Sequence, residues 1–205
     1  SSAASDVYKR QDLDLFCSGL NKKEIRNRII FGAPGTGKSF KLNDDKDKLI
    51  KEGGEYERVT FHPDYSYANF VGTYKPIPVK DNEGEDSISY EYVPGPFMRI
   101  YAKAIKNCIK VSKGEEAPKP FLLLIEEVNR ANTAAVFGDV FQLLDRKNNA
   151  SEYPIQASED IKKYLAKEIG LSGEDFNEIK IPDNMFIWAT MNLSLIHISE
   201  PTSRR

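Results

Sequence analysis

Residues 32–39 read GAPGTGKS and satisfy the pattern G-x-x-x-x-G-K-S/T at every fixed position. Before them, Arg28-Ile29-Ile30-Phe31 reads as a short buried strand, and after them a polar helical stretch begins near Ser39. The pattern therefore sits where a strand turns into a helix, which is the context it needs. Glycine lets the backbone wrap tightly enough for several N–H groups to converge on phosphate oxygens, and the helix N-terminus adds partial positive charge at the same place. Gly32, Ala33, Pro34, Gly35, Thr36, Gly37, Lys38 and Ser39, with Phe40 next in line, form a candidate phosphate-binding loop. In it Lys38 reaches the β and γ phosphates and the Ser39 hydroxyl ligates Mg²⁺.

A strand–loop–helix start implies an α/β fold, and three further segments supply strands for its sheet. Glu57-Arg58-Val59-Thr60-Phe61 is one. Phe121-Leu122-Leu123-Leu124-Ile125 is a continuous apolar run, the mark of a parallel strand covered on both faces, and it ends directly in Glu126-Glu127. Met185-Phe186-Ile187-Trp188-Ala189-Thr190 is the last, leading into Met191 and Asn192. Two adjacent carboxylates at a strand end are costly without a task. Opposite a phosphate loop, Glu126 orients the Mg²⁺ shell and Glu127 polarises the water that attacks the γ-phosphate. Asn192 falls at the ligand side of a parallel sheet, where it either touches the γ-phosphate or attacking water or serves as a structural amide.

Helices and turns fill the rest. Residues 40–52 form a solvated helix anchored by Phe40, Leu42, Leu49 and Ile50 and stopped at Gly53-Gly54. Phe97, Ile100, Tyr101, Ala104, Ile105, Cys108 and Ile109 recur at helical spacing, with Pro96 at the first position and Gly114 as the stop. Asn132 or Thr133 caps a helix whose covering face is Val136, Phe137, Val140, Phe141 and Leu144. Residues 158–169 are amphipathic and end at Gly170. Residues 74–96 read as a protruding hairpin around an acidic turn. Residues 12–27, with Leu13, Leu15, Phe16, Leu20 and Ile25, suit a short helix or lead-in beside the first strand. His62 either faces a substrate or takes a structural hydrogen bond, the second being favoured.

At 205 residues with 40% hydrophobic and 29% charged side chains, the chain suits one soluble core. Its 29 Lys and Arg against 31 Asp and Glu leave a formal charge of −2, so any nucleic-acid contact would be local rather than global. Cys17 and Cys108 match no metal spacing and are expected as buried thiols of a reducing, cytoplasmic setting. No stretch is long enough for a membrane span. The ends stand apart. Residues 1–11, SSAASDVYKRQ, are what a transposase-based sequencing adapter encodes in frame. LSLIHISEPT, from Leu193, is the reverse complement of its companion, departing from it only in the last three residues. Residues 1–11 and 193–205 are therefore excluded from the fold argument as adapter-derived, which leaves 12–192 as the natural core and removes His197 from consideration.

Taken together, GAPGTGKS, FHPDYSYANFVGTYKPIP, FLLLIEEVNRAN, the following VFGDVFQLLD and the strand ATMN resemble AAA+ domains of the dynein-related branch, and within it the McrB subunits of modification-dependent restriction systems. The resemblance covers most of 28–192. It implies a three-layer P-loop NTPase core with a mostly parallel sheet, cut before its last strand and helical lid. Lys38 and Ser39 would belong to Walker A, Glu126 and Glu127 to Walker B, and Asn192 would be sensor 1. The resemblance also implies a homo-oligomeric ring that hydrolyses ATP, or GTP as McrB does, with Mg²⁺. A nuclease subunit would be its partner, and DNA would be reached through that partner or a further domain. The first Walker B acid is Glu126, where Asp is the superfamily norm. An arginine finger is absent, and since one supplied in trans is worth about 10³ to 10⁵ in phosphoryl transfer, the isolated chain is expected to turn over weakly. The alternatives are a MoxR-like ATPase that remodels protein assemblies and a nucleotide-gated scaffold that does not hydrolyse.

Overall fold

The computed structural model describes residues 15–80 and 84–193. The segments read as adapter lie outside the described residues except for Leu193, as do residues 81–83 of the acidic turn. Four parallel strands form the central sheet: β1 (Asn27–Gly32), β2 (Glu55–Thr60), β5 (Phe121–Glu126) and β10 (Met185–Asn192), in the spatial order β1-β10-β5-β2. β10 is the last in sequence and sits between the first and third. Its register sets Ile29 beside Ala189 and Gly32 beside Asn192 on one side, and Ala189 beside Ile125 on the other.

Side chains alternate across the sheet, which gives each face its own cover. On one face Ile30, Leu122, Leu124, Phe186 and Trp188 pack under Leu42 and Leu49 of α1 (Lys38–Ile50). Phe40 was expected among the anchors of this helix, but it lies in the first turn on the side away from the sheet and is 81% exposed. On the other face Leu123, Ile125, Ile187 and Ala189 belong to the larger core with α3 (Pro96–Ser112). Every position of the expected α3 stripe is buried, Cys108 included, with Pro96 at the first helical position and Gly114 at φ 73° after the end. The result is helix, sheet, helix: a three-layer α/β core.

α2 (Tyr67–Phe70) leads into the hairpin of β3 (Gly72–Lys80) and β4 (Asp86–Pro94), paired antiparallel as expected. Asn132 caps α4 (Thr133–Phe137) by accepting from the Ala135 N–H. This helix is shorter than its apolar spacing suggests. Gly138 at φ 53° ends it, and a 3₁₀ turn over Gly138–Leu144 rotates the later side chains, so Phe141 is 52% exposed rather than covering the sheet. It stands at the rim of an apolar groove of about 510 Å³ over Ile29, Ile187 and Met191. Pairs of two-residue strands, β6 (Arg146–Lys147) with β7 (Ala150–Ser151) and β8 (Ile155–Gln156) with β9 (Glu178–Ile179), flank α5 (Glu159–Ile169). Ser158 caps α5 and Gly170 closes it.

The lead-in is irregular rather than helical, and Ile25 is exposed. Asp183, just before β10, holds it. Its carboxylate accepts from the Ser18 N–H and Oγ, each at 2.7 Å, and from the Gly19 N–H at 2.9 Å. Cys17, expected to be buried, is exposed, and its Sγ lies 3.7 Å from the Asp183 carboxylate. Arg26, buried, donates to the Asp183 carbonyl and to the carbonyls of Leu20, Lys22 and Glu24 while lying over the Phe186 ring. Arg146 donates to the carbonyls of Asn149, Ile181, Pro182 and Met185 and to Asn27 Oδ1, and burial pushes its pKa down to about 9. These groups close the N-terminal ends of the strands.

Candidate functional site

The C-terminal ends of the strands converge on a cleft of about 500 Å³. Its floor is the β1–α1 loop. A Cβ on Gly32 would stand 3.3 Å from Thr36 Oγ1, a tight approach, and 3.6 Å from Lys38 Cδ, an ordinary contact. Gly35 and Gly37 take φ of 78° and 76°, the left-handed conformation that costs other residues about 1 kcal/mol or more. Thr36 Oγ1 donates to the Ala33 carbonyl at 2.8 Å and braces the loop. Lys38 is buried and folds along the loop, its Nζ donating to the Gly32 carbonyl at 2.9 Å, the Ala33 carbonyl at 2.6 Å and Thr36 Oγ1 at 3.4 Å. Ser39 and Phe40 are exposed in the first turn of α1 and line the cleft.

The opposite wall is acidic. Glu126 ends β5 beside its register partner Thr60, whose Oγ1 donates to Glu126 Oε2 at 3.4 Å. Arg58, two residues earlier on β2, donates through Nη2 to Glu126 Oε1 at 2.7 Å. Glu127 follows in a left-handed conformation, φ 53° and ψ 47°, which turns its side chain out of the strand direction. A non-glycine residue held there signals a position over-determined by its neighbours. Those neighbours are visible. Its N–H donates to Thr190 Oγ1 at 3.1 Å, Arg130 Nη1 donates to Oε2 at 2.8 Å, and Asn192 Nδ2 donates to Oε1 at 3.3 Å. Asn192 is itself held, because its carbonyl accepts from Asn129 Nδ2 at 2.8 Å.

Of the residues singled out in the sequence, Pro34, Gly35, Thr36, Gly37, Lys38, Ser39, Phe40, Glu126, Glu127 and Asn192 all border this one cleft. Gly32 and Ala33 lie behind it and supply the carbonyls that hold Lys38. His62 stands apart, exposed, with its ring edge-on to Tyr65 at 5.4 Å. Three residues not singled out belong to the site: Thr190, Arg58 and Arg130. Arg130 was open to discovery, since it stands three residues after Glu127 across a tight turn. Thr190 was visible only as a polar residue closing an apolar strand. Arg58 gave no signal, because its contact depends on the register between two strands 68 residues apart in sequence.

The chain is 46% identical over 186 residues to the Type II restriction enzyme BsuMI component YdiS of Bacillus subtilis (strain 168), covering 82% of this chain and 50% of that protein. It is 26% identical over 169 residues to the Type IV methyl-directed restriction enzyme EcoKMcrB subunit of Escherichia coli (strain K12), covering 82% of this chain and 30% of that one. It thus spans half or less of these relatives. A solved structure of a candidate ATPase from Cytophaga hutchinsonii aligns over 92% of this chain and 38% of its own, at 16% identity and a TM-score of 0.35, too slight a likeness to build on. No helix among the described residues is long and apolar enough to cross a membrane. The AAA domain (dynein-related subfamily) family matches residues 27–192, the stretch that runs from β1 through Asn192, and the chain belongs to that family.

Proposed function

We propose that residues 12–192 form the nucleotide-hydrolysing core of a ring-forming motor in a modification-dependent DNA restriction system, binding ATP or GTP with Mg²⁺. The observation that carries this reading is the convergence of Lys38, Ser39, Glu126, Glu127 and Asn192 on one cleft, with the Asn192 amide bonded to the Glu127 carboxylate. The restriction role follows the names of the two relatives. The acid pair beside the phosphate loop favours hydrolysis over a scaffold that only binds.

The residues present fit a magnesium nucleotide. The space beyond Gly35 and Gly37 is open, since nothing lies within 4 Å of a Cβ built on either. Among the described residues no group of three or more His, Cys, Asp and Glu side chains could hold a metal by itself. Mg²⁺ is commonly bound by one or two protein oxygens together with substrate phosphates. Ser39 Oγ and a Glu126 oxygen would be those donors. When bound, the ion supplies charge neutralisation across the β and γ phosphates.

The loop N–H groups and Lys38 bind and orient the phosphates, Lys38 exchanging its bonds to the Gly32 and Ala33 carbonyls for phosphate oxygens. Glu127 accepts the proton of the attacking water. Its Oε1 is aimed by Asn192 and its Oε2 by Arg130, so the base is oriented before substrate arrives. Asn192 then stands where it can sense the γ-phosphate through the same amide. The arginines at the site, Arg58 and Arg130, are each engaged by an acid of the cleft, so an arginine for the γ-phosphate is still wanted. A ring neighbour would supply it, and turnover by the isolated chain is slow for that reason. Titration of ATP and GTP with Mg²⁺ against wild type and Lys38→Ala tests the reading. Binding of one nucleotide that Lys38→Ala weakens roughly 30- to 150-fold is the expected result and identifies the fuel. A folded protein that binds neither, or binds equally well without Lys38, overturns it.

A further inference from the structure

The first acid of the cleft is not waiting as a bare carboxylate. Both of its oxygens are engaged from β2, Oε1 by the Arg58 guanidinium at 2.7 Å and Oε2 by Thr60 Oγ1 at 3.4 Å. Arg58, Thr60, Leu124 and Glu126 share one face of the sheet, because neighbouring strands in register project the same way and Arg58 pairs with Leu124 as Thr60 does with Glu126. Glutamate is long enough for its carboxylate to reach diagonally back to a side chain one residue pair away. An aspartate at 126, a methylene shorter, is not positioned for that diagonal. Arg58 has no second acid among the described residues, and its side chain is 40% exposed against 21% for Glu126.

We propose that Arg58 is a positioning residue that acts as a resident counter-ion for Glu126, so that a divalent cation arriving with nucleotide competes with a guanidinium for the same carboxylate. The inference rests on the assignment of Glu126 to the metal made above. Two cations that share one carboxylate oppose each other, so Arg58 weakens cation binding and at the same time keeps the longer acid against β2 rather than across the cleft. An ion pair this exposed is weak, which keeps the competition within reach of a physiological cation concentration.

The test is the Mg²⁺ dependence of nucleotide binding, with Mn²⁺ and its electron paramagnetic resonance as a second, direct readout of cation affinity. Arg58→Met keeps length and removes charge. It is expected to tighten the apparent cation affinity about two- to fivefold, while nucleotide affinity in excess chelator stays at the wild-type value. Arg58→Lys restores the charge and with it the wild-type cation dependence. In a Glu126→Asp background, Arg58→Met has no further effect, because the shorter acid never made the pair. The inference is overturned if Arg58→Met leaves cation affinity unchanged or weakens it, or if the two substitutions act additively. It fails separately from the nucleotide reading. Weakened nucleotide binding in Lys38→Ala, together with loss of the Mg²⁺ dependence in Glu126→Gln, would leave that reading standing whatever Arg58 does.

Discussion

The same four parallel strands end in two kinds of place. At their N-terminal ends charge is buried and held by several partners at once. Asp183 accepts three short hydrogen bonds from Ser18 and Gly19, and Arg26 is enclosed by backbone carbonyls. At their C-terminal ends charge stands at the surface of a cleft, where Glu126 and Glu127 are each held by two side chains and face a loop with two glycines at positive φ. The contrast separates stability from chemistry along the length of one strand. β10 carries both, running from Asp183 just before it to Asn192 at its end. A group that must exchange partners during a reaction cannot be as firmly fixed as one whose only task is to close the core.

Four changes probe that separation, from the largest effect to the smallest. Glu127→Gln at the cleft is expected to cost about 10²- to 10⁴-fold in nucleotide turnover, the range for loss of a general base, with nucleotide affinity and unfolding midpoint unchanged. Phosphate release measured beside equilibrium binding checks it, and unaltered release would favour the scaffold alternative. Asp183→Ala at the other end should lower stability by about 3 kcal/mol in urea unfolding, since it strands buried N–H and O–H donors. Nucleotide affinity below the transition should be unaffected. If it falls as well, the two ends are coupled and the comparison is wrong. Lys38→Ala should weaken nucleotide binding by about 2–3 kcal/mol, the loss of a charge-assisted contact to phosphate, and leave the unfolding midpoint nearly in place.

The smallest effect belongs to Glu116, in the approach to β5. Lys110 first, then Asn107 and Lys119, hold its carboxyl down at about 2. A carboxyl lowered on folding contributes stability that is complete above its unfolded value near 4.5 and is lost as pH falls through about 2. Glu116→Gln should therefore give a slightly lower thermal midpoint at neutral pH, and the gap to wild type should close between about pH 4.5 and 2. Because the group is solvent-exposed, screening by salt should shrink the gap as well. A gap that widens on acidification would contradict the sign.

What the sequence disclosed follows from how far each interaction reaches along the chain. The phosphate loop is local, so its eight residues and its strand–helix setting were legible together. The strands announced themselves by apolar runs, and α3 by its stripe and its bounding Pro96 and Gly114. Failures came where geometry is set at a distance. Phe141 is displaced by the left-handed Gly138, which periodicity alone cannot register, and Phe40 is apolar but faces away from the sheet. Cys17 lies exposed in a lead-in held by Asp183, 166 residues later. Arg58 meets Glu126 only because β2 and β5 pair in one particular register. Reading the site from sequence named residues that border one cleft and missed those that hold them.

The position of β10 has a consequence for how the protein comes to exist. Among the described residues β1 pairs only with β10 in this sheet, and Asn27 meets Ile187, 160 positions later. A ribosome must therefore release the chain as far as β10 before the first strand acquires this neighbour. β2 and β5 can join early, with α3 between them in sequence, but β1 and its phosphate loop wait for the last strand to slide into the gap. Contacts of such sequence separation slow folding, since the chain must be ordered over a long loop before they form. The nucleotide-binding end is thus assembled in a single late event. A nascent chain stalled before Met185 would carry the complete loop motif and have no strand on which to hold it.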